Sequence, residues 1–283
     1  MASFTNFATL SYNGGTTNSN IVTGEILEAL TAVKTAVSAN YSAGDRITYA
    51  LSLVNTGTTA VTDYTVTDNL GGYTVGANTV YPLAYNAGTV RYYINGVLQA
   101  APAVTAGPPL TVTGLTVPAG GNAVLIYETT ATNVAPLATG NSITNTATIT
   151  GGGLTNPITA QATVETASSA ELTISKALSP TTVTENGQIT YTFVISNTGN
   201  TEATAADNVI VTDTFDPILR NIAVTYNGTA WTEGTNYTYN AATGVFATQA
   251  GQITVPAASF TQNADGTFTV TPGTATLVIT GTI

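Results

Sequence analysis

Apolar and polar residues alternate with period two over short runs along most of the chain, which has 283 residues. The runs are rich in Thr, Val, Ile and Tyr, are separated by Gly, Asn, Asp and Pro, and predict β-strands. Asn-Gly at 95–96 and Asp-Gly at 265–266 each lie between two runs and predict hairpin turns. Pro108, Pro109 and Pro217 indicate loops. We therefore expect an all-β fold.

Two copies of one sequence pattern follow each other along the chain. The five matching pairs of segments are 30–34 (LTAVK) with 172–176 (LTISK), 44–49 (GDRITY) with 186–191 (NGQITY), 54–57 (VNTG) with 196–199 (SNTG), 66–68 with 211–213 (both VTD), and 125–129 (LIYET) with 277–281 (LVITG). Several short strands per copy, separated by turns at this spacing, are typical of an immunoglobulin-like (Ig-like) β-sandwich.

The repeat predicts two tandem sandwiches, domain 1 at 29–167 and domain 2 at 168–283, joined through the segment ASSA at 167–170. Residues 26–38 have Ala and Leu at mixed spacing and are compatible with a helix. Their counterpart at 172–178 alternates with period two, however, so we expect a strand in both copies.

A segment at the end of the first copy also occurs, in similar form, at the start of the chain. SITNTATI at 142–149 resembles SFTNFATL at 3–10, with five of eight positions identical. In each case a Gly-rich turn follows, and then a second strand-like run, at 158–165 or at 21–28. The second copy shows no such hairpin. We therefore expect residues 1–28 to form a hairpin that matches the last two strands missing from domain 2.

A sandwich without its last strands exposes an apolar cleft and an unpaired sheet edge. The hairpin would fill that cleft in another copy of the chain, which is donor-strand complementation. Its donor strand presents four residues on one face, Phe4, Asn6, Ala8 and Leu10. Because donor and acceptor surfaces differ, the contact propagates head to tail. The alternative is a hairpin folded back onto its own domain 2, past a domain 1 that is roughly 40 Å long.

The motifs taken together resemble the DUF11 repeat family. They are the early-strand Lys, GDRITY, Asn-Thr-Gly, Val-Thr-Asp, and Ile-Thr-Asn-Thr-Ala-Thr. That family comprises Ig-like domains found in tandem on surface proteins of bacteria and archaea, and the chain looks most similar to leaderless two-repeat clostridial members. The resemblance implies an Ig-like fold and a structural role. The chain departs from the family pattern by carrying its final hairpin at the front.

The chain has two lysines, Lys34 and Lys176, at equivalent positions of the two copies. Strand parity turns each lysine, one acid and one Asn toward a core. The resulting sets are Lys34, Asp68 and Asn145 in domain 1, and Lys176, Asp213 and the donor's Asn6 in domain 2. Glu128 is a competing acid in domain 1, but its counterpart is Thr280, which favours Asp68.

In Ig-like surface domains of similar design, this set of groups forms a Lys–Asn isopeptide bond. Desolvation lowers the pKa of a buried amine and raises that of a buried carboxylic acid. The neutral amine then attacks the carboxamide while Asp68 or Asp213 polarises the carbonyl as the acid. We expect one bond within domain 1, from Lys34 to Asn145, and one between copies, from Lys176 to Asn6. The alternative is a buried ion pair that is hydrogen-bonded to Asn.

Composition excludes several other functions. Charged residues make up 7% of the chain and the formal net charge is −10, so there is no basic surface for nucleic acid. The absence of His and Cys excludes Ser-His-Asp catalysis, zinc sites and disulfides. We expect no enzyme activity beyond self-catalysed bond formation, no cofactor and no metal. Two alternatives stay open, calcium at Asp63 or Asp207, and a sugar-binding face built from Tyr92, Tyr93, Tyr237 and Tyr239.

The residues before Ser11 contain neither the basic nor the apolar region of a signal peptide, so we expect none, and no run of about 18 apolar residues predicts a membrane span. The sequence therefore predicts a structural subunit that assembles with itself into an extracellular, spore-surface or cell-surface filament without a classical signal peptide. The alternative function is an adhesive surface module that binds a host protein or glycan.

Overall fold

The computed structural model describes residues 2–26 and 29–283. Within these residues the only helix is one 3₁₀ turn, Ala205–Asp207. No helix in the described part of the chain is both long and apolar enough to cross a membrane. The all-β prediction is confirmed. Met1, Leu27 and Glu28, at the two ends of the predicted donor hairpin, lie outside the described residues.

Residues 2–26 form four short strands that pair with one another. They are Ala2–Asn6 (β1), Thr9–Tyr12 (β2), Gly15–Asn18 (β3) and Val22–Ile26 (β4). β1 pairs with β4 and β2 with β3, both antiparallel, so this segment is a hairpin. We name residues 2–26 the donor hairpin.

The register within the donor hairpin differs from that of the matching pair in unit 1, Ser142–Gly151 with Ile158–Thr166, in which Asn145 lies opposite Ala162. Asn6 lies opposite Val22, whereas the match of 21–28 with 158–165 would place it opposite Glu25. The main cause is the turn, because Asn13-Gly14 closes a two-residue loop between Tyr12 and Gly15 and draws the second strand back along the first. One extra residue on the second strand, between the two ladders, then places Asn6 opposite Val22 and not opposite Ile21.

The chain divides into two compact units. Unit 1 comprises Met1–Ala135 and Ser142–Glu165, and unit 2 comprises Pro136–Asn141 and Thr166–Ile283. The sequence ASSA at 167–170 is irregular, as a connection between sandwiches would be.

Unit 1 contains a two-sheet sandwich. Its strands are Leu30–Ala36 (β5), Asn40–Tyr41 (β6), Arg46–Asn55 (β7), Val61–Asp68 (β8), Tyr73–Val75 (β9), Asn78–Val80 (β10), Leu83–Tyr85 (β11), Arg91–Ile94 (β12), Val97–Leu98 (β13), Ala103–Thr105 (β14), Leu110–Val117 (β15), Asn122–Ala131 (β16), Ser142–Gly151 (β17) and Ile158–Thr166 (β18). One sheet has the order β13-β12-β16-β7-β5, with β11 also paired to β16. The other has the order β14-β15-β8-β17-β18-β6, and β9 and β10 form a separate pair.

The core of unit 1 follows from strict alternation. Every second residue of β7 from Ile47 to Leu53 is buried, because successive side chains of a strand point to opposite faces. The core contains several fully buried tyrosines, including Tyr49 and Tyr127, whose rings stack with centroids 5.8 Å apart. Polar hydroxyls therefore lie inside a largely apolar core, and they need polar partners there.

Unit 2 contains a smaller sandwich. Its strands are Leu172–Ser179 (β19), Gln188–Asn197 (β20), Thr212–Thr214 (β21), Arg220–Tyr226 (β22), Thr229–Trp231 (β23), Tyr237–Asn240 (β24), Val245–Thr248 (β25), Ser259–Gln262 (β26), Phe268–Thr271 (β27) and Gly273–Thr282 (β28). One sheet has the order β19-β20-β28-β22-β23, the other β21-β25-β24, and β26 and β27 form a separate pair.

Two strands of unit 1 have no counterpart among the described residues of unit 2. In unit 1, β8 lies between β15 and β17. Its counterpart β21 pairs only with β25 in the described residues, so the places of β17 and β18 are empty in unit 2. The facing strand is exposed as a result. All eight residues of β19 are exposed, whereas its counterpart β5 buries Leu30 and Lys34. The second sandwich is incomplete, as the sequence predicts.

Local predictions are also confirmed. Strand β5 lies within residues 26–38, and none of the described residues of that range is helical. Asn95 and Gly96 form the turn between β12 and β13 with φ of 47° and 78°, a left-handed conformation that Asn and Gly tolerate best. The prolines at 108, 109 and 217 lie in loops.

Candidate cross-linking and docking site

Lys34 of β5 and Asp68 of β8 face each other across the interior of unit 1. Lys34 Nζ lies 2.5 Å from Asp68 Oδ2, and the two side chains are 0% and 1% exposed. Alternation along β5 directs Lys34 to the same face as the buried Leu30. A charged pair removed from water to this degree is stable only with further hydrogen bonds.

Asp68 has those further bonds. Its Oδ1 atom accepts the backbone N–H of Leu70 at 2.9 Å, and its Oδ2 atom also accepts the hydroxyl of Tyr127 from β16. Sequence reasoning did not single out Tyr127. Alternation along β16 does place position 127 on the side that faces the core. Its counterpart in the second copy is Ile279, however, so the repeat gives no indication that the position has a polar role.

Asn145 of β17 is the third predicted member of the cluster, and it lies near Tyr49 and Tyr127. It is 0% exposed, and neither its Oδ1 nor its Nδ2 atom makes a hydrogen bond of good geometry. The carboxamide nevertheless lies close enough to the Tyr49 and Tyr127 hydroxyls to act on their pKa values. An unbonded buried amide costs about 1–3 kcal/mol. Asn145 is therefore buried near Tyr49 and Tyr127, the two rings over which Lys34 Nζ lies at 4.8 and 5.9 Å from the centroids, and it stays the predicted partner of Lys34.

The pKa values of the cluster follow from burial. Desolvation lowers the pKa of Lys34 from 10.5 to about 8, against the opposing charge of Asp68. Burial raises the pKa values of Tyr49 and Tyr127, and the charge of Asp68 raises them further. Both phenols therefore stay protonated near neutral pH, while about a tenth of Lys34 is present at pH 7 as the neutral, nucleophilic amine.

Glu128 is not part of the cluster. Its side chain is 37% exposed and lies 3.7 Å from the guanidinium of Arg46, so it forms an ordinary surface ion pair. Neighbouring positions 127 and 128 point to opposite faces of β16, which explains why Tyr127 contacts Asp68 and Glu128 does not.

In unit 2, Lys176 contacts Asp213 in the same way, through Nζ and Oδ2. The amine also lies over aromatic rings, 4.5 Å from the centroid of Tyr191 and 5.5 Å from that of Phe215. Lys176 keeps 40% of its side-chain surface exposed and Asp213 keeps 17%. The described part of unit 2 has no strand in the place of β17, and hence no counterpart of Asn145. Two of the three groups are present, in an open site.

An apolar groove lies beside this open site. Its volume is about 160 Å³, and it runs between β19 and residues 209–211. Leu172 and Ile174 on one side are 36% and 55% exposed, and Ile210 on the other is 51% exposed. We name this feature, together with the free edge of β21, the acceptor groove.

The donor hairpin exposes the apolar side chains whose counterparts fill the core of unit 1. Phe4 and Leu10 are 54% and 64% exposed, although their counterparts Ile143 and Ile149 in unit 1 are 2% and 0% exposed. Asn6 and Ala8 are exposed as well. Exposed apolar side chains of this kind are typical of an interaction surface.

The other candidate sites find no support in the geometry. Asp207 caps the 3₁₀ turn by accepting the backbone N–H of Thr204 at 2.7 Å, and no cluster of three or more acidic side chains suited to a metal occurs among the described residues. Tyr92 and Tyr237 are buried at 6% and 5% exposure. Burial of these two tyrosines does not support the alternative of a sugar-binding face, because half of its four tyrosines belong to the cores.

No known family model matches the chain, and no curated protein resembles it in sequence. The DUF11 resemblance stays a prediction. Among solved structures, the major pilin BcpA of Bacillus cereus is similar at 14% identity and a TM-score of 0.36, over 96% of this chain and 73% of the pilin. A 35 kDa C-terminal fragment of the major pilin GBS80 of Streptococcus agalactiae has 14% identity, a TM-score of 0.36 and 87% coverage of each chain.

The collagen-binding subdomain of the Enterococcus faecalis surface protein ACE is similar at 9% identity and a TM-score of 0.32, over 50% of this chain and 99% of the subdomain. All three TM-scores are low, so the function has to be inferred from this chain's own geometry.

Proposed function

We propose that this protein is the structural subunit of an extracellular or surface filament, and that it assembles head to tail by donor-strand complementation. One observation carries the proposal. The chain contains an exposed hairpin whose sequence matches β17 and the run after it, and also contains a sandwich with the places of β17 and β18 empty. The donor hairpin of one copy would enter the acceptor groove of the next.

The energetics favour docking. Two open backbone edges would pair, and exposed apolar side chains on both partners would leave water. Complete burial of a Phe or Leu side chain is worth about 1.5–3 kcal/mol. Phe4 and Leu10 begin about half exposed, so each would contribute part of that value. Because donor and acceptor are different surfaces at different places in the chain, the contact is heterologous and gives an open fibre unless its rotation closes a ring.

A covalent bond would follow docking. Lys176 first passes a proton to Asp213, and the neutral amine attacks Cγ of Asn6 from the neighbouring copy. A new C–N bond forms, the bond from Cγ to the carboxamide nitrogen breaks, and one amine proton moves to the leaving nitrogen. Overall, an ammonium and a carboxamide give a secondary amide and NH₄⁺, and Asp213 returns to its carboxylate. In unit 1 the same reaction would join Lys34 and Asn145 within one chain.

Negative-stain microscopy of purified protein tests the assembly. We expect uniform fibres from the full chain. Replacing the inward-facing donor residues, in Phe4→Asp with Leu10→Asp, should abolish them, because a charge would enter the groove. The matched control is Thr5→Asp with Ser11→Asp, at outward-facing positions of the same strands, which should still give fibres. Stable monomers of the unmodified chain, with affinity for a protein or glycan, would instead favour an adhesive module.

A further inference from the structure

We infer that the donor hairpin docks in one register only, defined by three opposed pairs across two copies: Ala8 with Asp213, Thr9 with Thr212, and Leu10 with Val211. This inference rests on the proposed function and specifies how the second copy is recognised.

The register comes from the complete sandwich. There, β17 pairs with β8 so that Ala147 lies opposite Asp68, Thr148 opposite Thr67 and Ile149 opposite Val66. The acceptor segment Val-Thr-Asp is identical in the two copies, and the donor repeats Ala-Thr at 8–9 as it stands at 147–148.

The edges that would meet are both open, and their hydrogen-bonding groups are in phase. Ala8 donates its backbone N–H to Ser19 Oγ and accepts the N–H of Ser19, so its polar groups point to the inner side of the hairpin. Successive residues of a strand direct these groups to alternate edges, so those of Thr9 point outward. In β17, Thr146 directs its N–H and C=O toward Asn69, which follows β8, and Thr148 shares that phase. The outward-pointing N–H and C=O groups of Thr9 therefore match those that Thr148 directs toward β8, and the donor strand could pair with β21 without turning about its own axis.

Backbone bonds within unit 2 leave only one side of the acceptor free. Val211 donates its N–H to Thr248 Oγ1 and accepts the N–H of Thr248, both at 2.9 Å, and β21 then pairs with β25 on that same side. In the described residues nothing pairs with β21 on the other side.

Side-chain size excludes the neighbouring registers. A slip of one residue would turn Leu10 out of the acceptor groove, because strand faces alternate. A slip of two residues keeps the face but puts Asn6 or Leu10 opposite Asp213. The equivalent place in unit 1 is taken by Ala147, which is 0% exposed between Asp68 and Ala160. Only the small Ala8 fits there without displacing the Lys–Asp pair.

Disulfide trapping tests the register, since the chain contains no cysteine. Thr9→Cys with Thr212→Cys is made in a Lys176→Arg background, so that no Lys176–Asn6 bond can form a ladder. Both positions are exposed in the free chain, and opposed residues of paired strands have the Cα separation that a disulfide needs. The matched controls replace Thr9 as the donor position by Phe7→Cys or Ser11→Cys, each two residues away.

We expect fibres of the Thr9–Thr212 pair to give a multimer ladder on non-reducing gels after oxidation, and the ladder to vanish on reduction. The control pairs should link at least tenfold less. Fibres that link better through either control pair, or through none of the three, would overturn the register alone. If a double variant assembles poorly, mixing a chain carrying only Thr9→Cys with one carrying only Thr212→Cys provides the same test as linked dimers. Absence of fibres from the Lys176→Arg parent and the unmodified chain would overturn the proposed function itself.

Discussion

Lys34 Nζ lies 2.5 Å from Asp68 Oδ2, and the complete sandwich around them excludes solvent from both side chains. The equivalent pair in unit 2, Lys176 and Asp213, makes the same contact with Lys176 still 40% exposed. The pair therefore forms in a closed and in an open sandwich. The two sites differ because unit 1 has strand β17, which carries Asn145, and the described part of unit 2 has no such strand. Experiments that respond to the exposure of each lysine can therefore tell the two sites apart.

Chemical labelling of lysine amines should detect docking as a change in the reactivity of Lys176. In the non-assembling variant Phe4→Asp with Leu10→Asp, an N-hydroxysuccinimide ester should modify Lys176 and leave Lys34 untouched, because Lys34 has no exposed side-chain surface. In fibres of the unmodified chain, Lys176 should be protected as well. Peptide mass spectrometry gives the labelled fraction at each lysine. Equal labelling of Lys176 in both forms would exclude docking at the acceptor groove.

The isopeptide bond in unit 1 should be visible in the intact mass. The non-assembling variant should weigh about 17 Da less than its sequence, since each bond releases one ammonia. Adding Asn145→Ala or Lys34→Ala should restore the full calculated mass, while Thr144→Ala at the neighbouring outward position should not. A full calculated mass without these changes would leave Lys34 and Asp68 as an ion pair only.

Without the bond, stability should depend on pH through Lys34. Its pKa in the folded chain, about 8, lies below its ordinary value of 10.5, so the unfolded state binds more protons between these values. The free energy of unfolding of the Asn145→Ala variant should therefore rise as pH increases from about 8 to 10, by about 2 kcal/mol. Above about pH 10 the raised pKa values of Tyr49 and Tyr127 act in the opposite direction.

Urea titrations at several pH values measure this dependence. The matched variant Lys34→Met with Asn145→Ala lacks the titrating amine and should show a much smaller slope over the same range. Identical slopes for the two variants would mean that Lys34 is not desolvated in the folded chain.

Tyr127 should stabilise unit 1 through its hydroxyl. Tyr127→Phe keeps the stacked ring but removes a hydrogen bond to the buried carboxylate of Asp68. Bonds to charged groups contribute about 1.5–3 kcal/mol, and the loss should be of that order. Tyr64→Phe is the control, because the Tyr64 hydroxyl is equally buried but makes no hydrogen bond of good geometry. Thermal unfolding of both variants gives the comparison, and equal losses would contradict a special role of Tyr127.

The sequence by itself determined the local architecture. Alternation at 30–34 and 172–176 defined the strands and directed both lysines inward, because a strand has a side-chain period of two regardless of what it pairs with. The repeat pointed to Asp68 and Asp213, which contact the two lysines, and it predicts Asn145 and Asn6 as further partners. The missing second hairpin identified the incomplete sandwich. These are properties of local geometry and of internal symmetry, which a single sequence contains.

Tertiary structure alone decided what surrounds those groups. Tyr127 lies on a strand distant in sequence from Asp68, and only sheet packing brings its hydroxyl to the carboxylate. The burial of Tyr92 and Tyr237, and the exposure of Lys176, likewise depend on which strands cover them. The register of the donor hairpin was decided by the Asn13-Gly14 turn, whose tight loop outweighs the match of the second strand. Contacts between distant segments depend on the whole packing arrangement, and periodicity within one segment does not encode them.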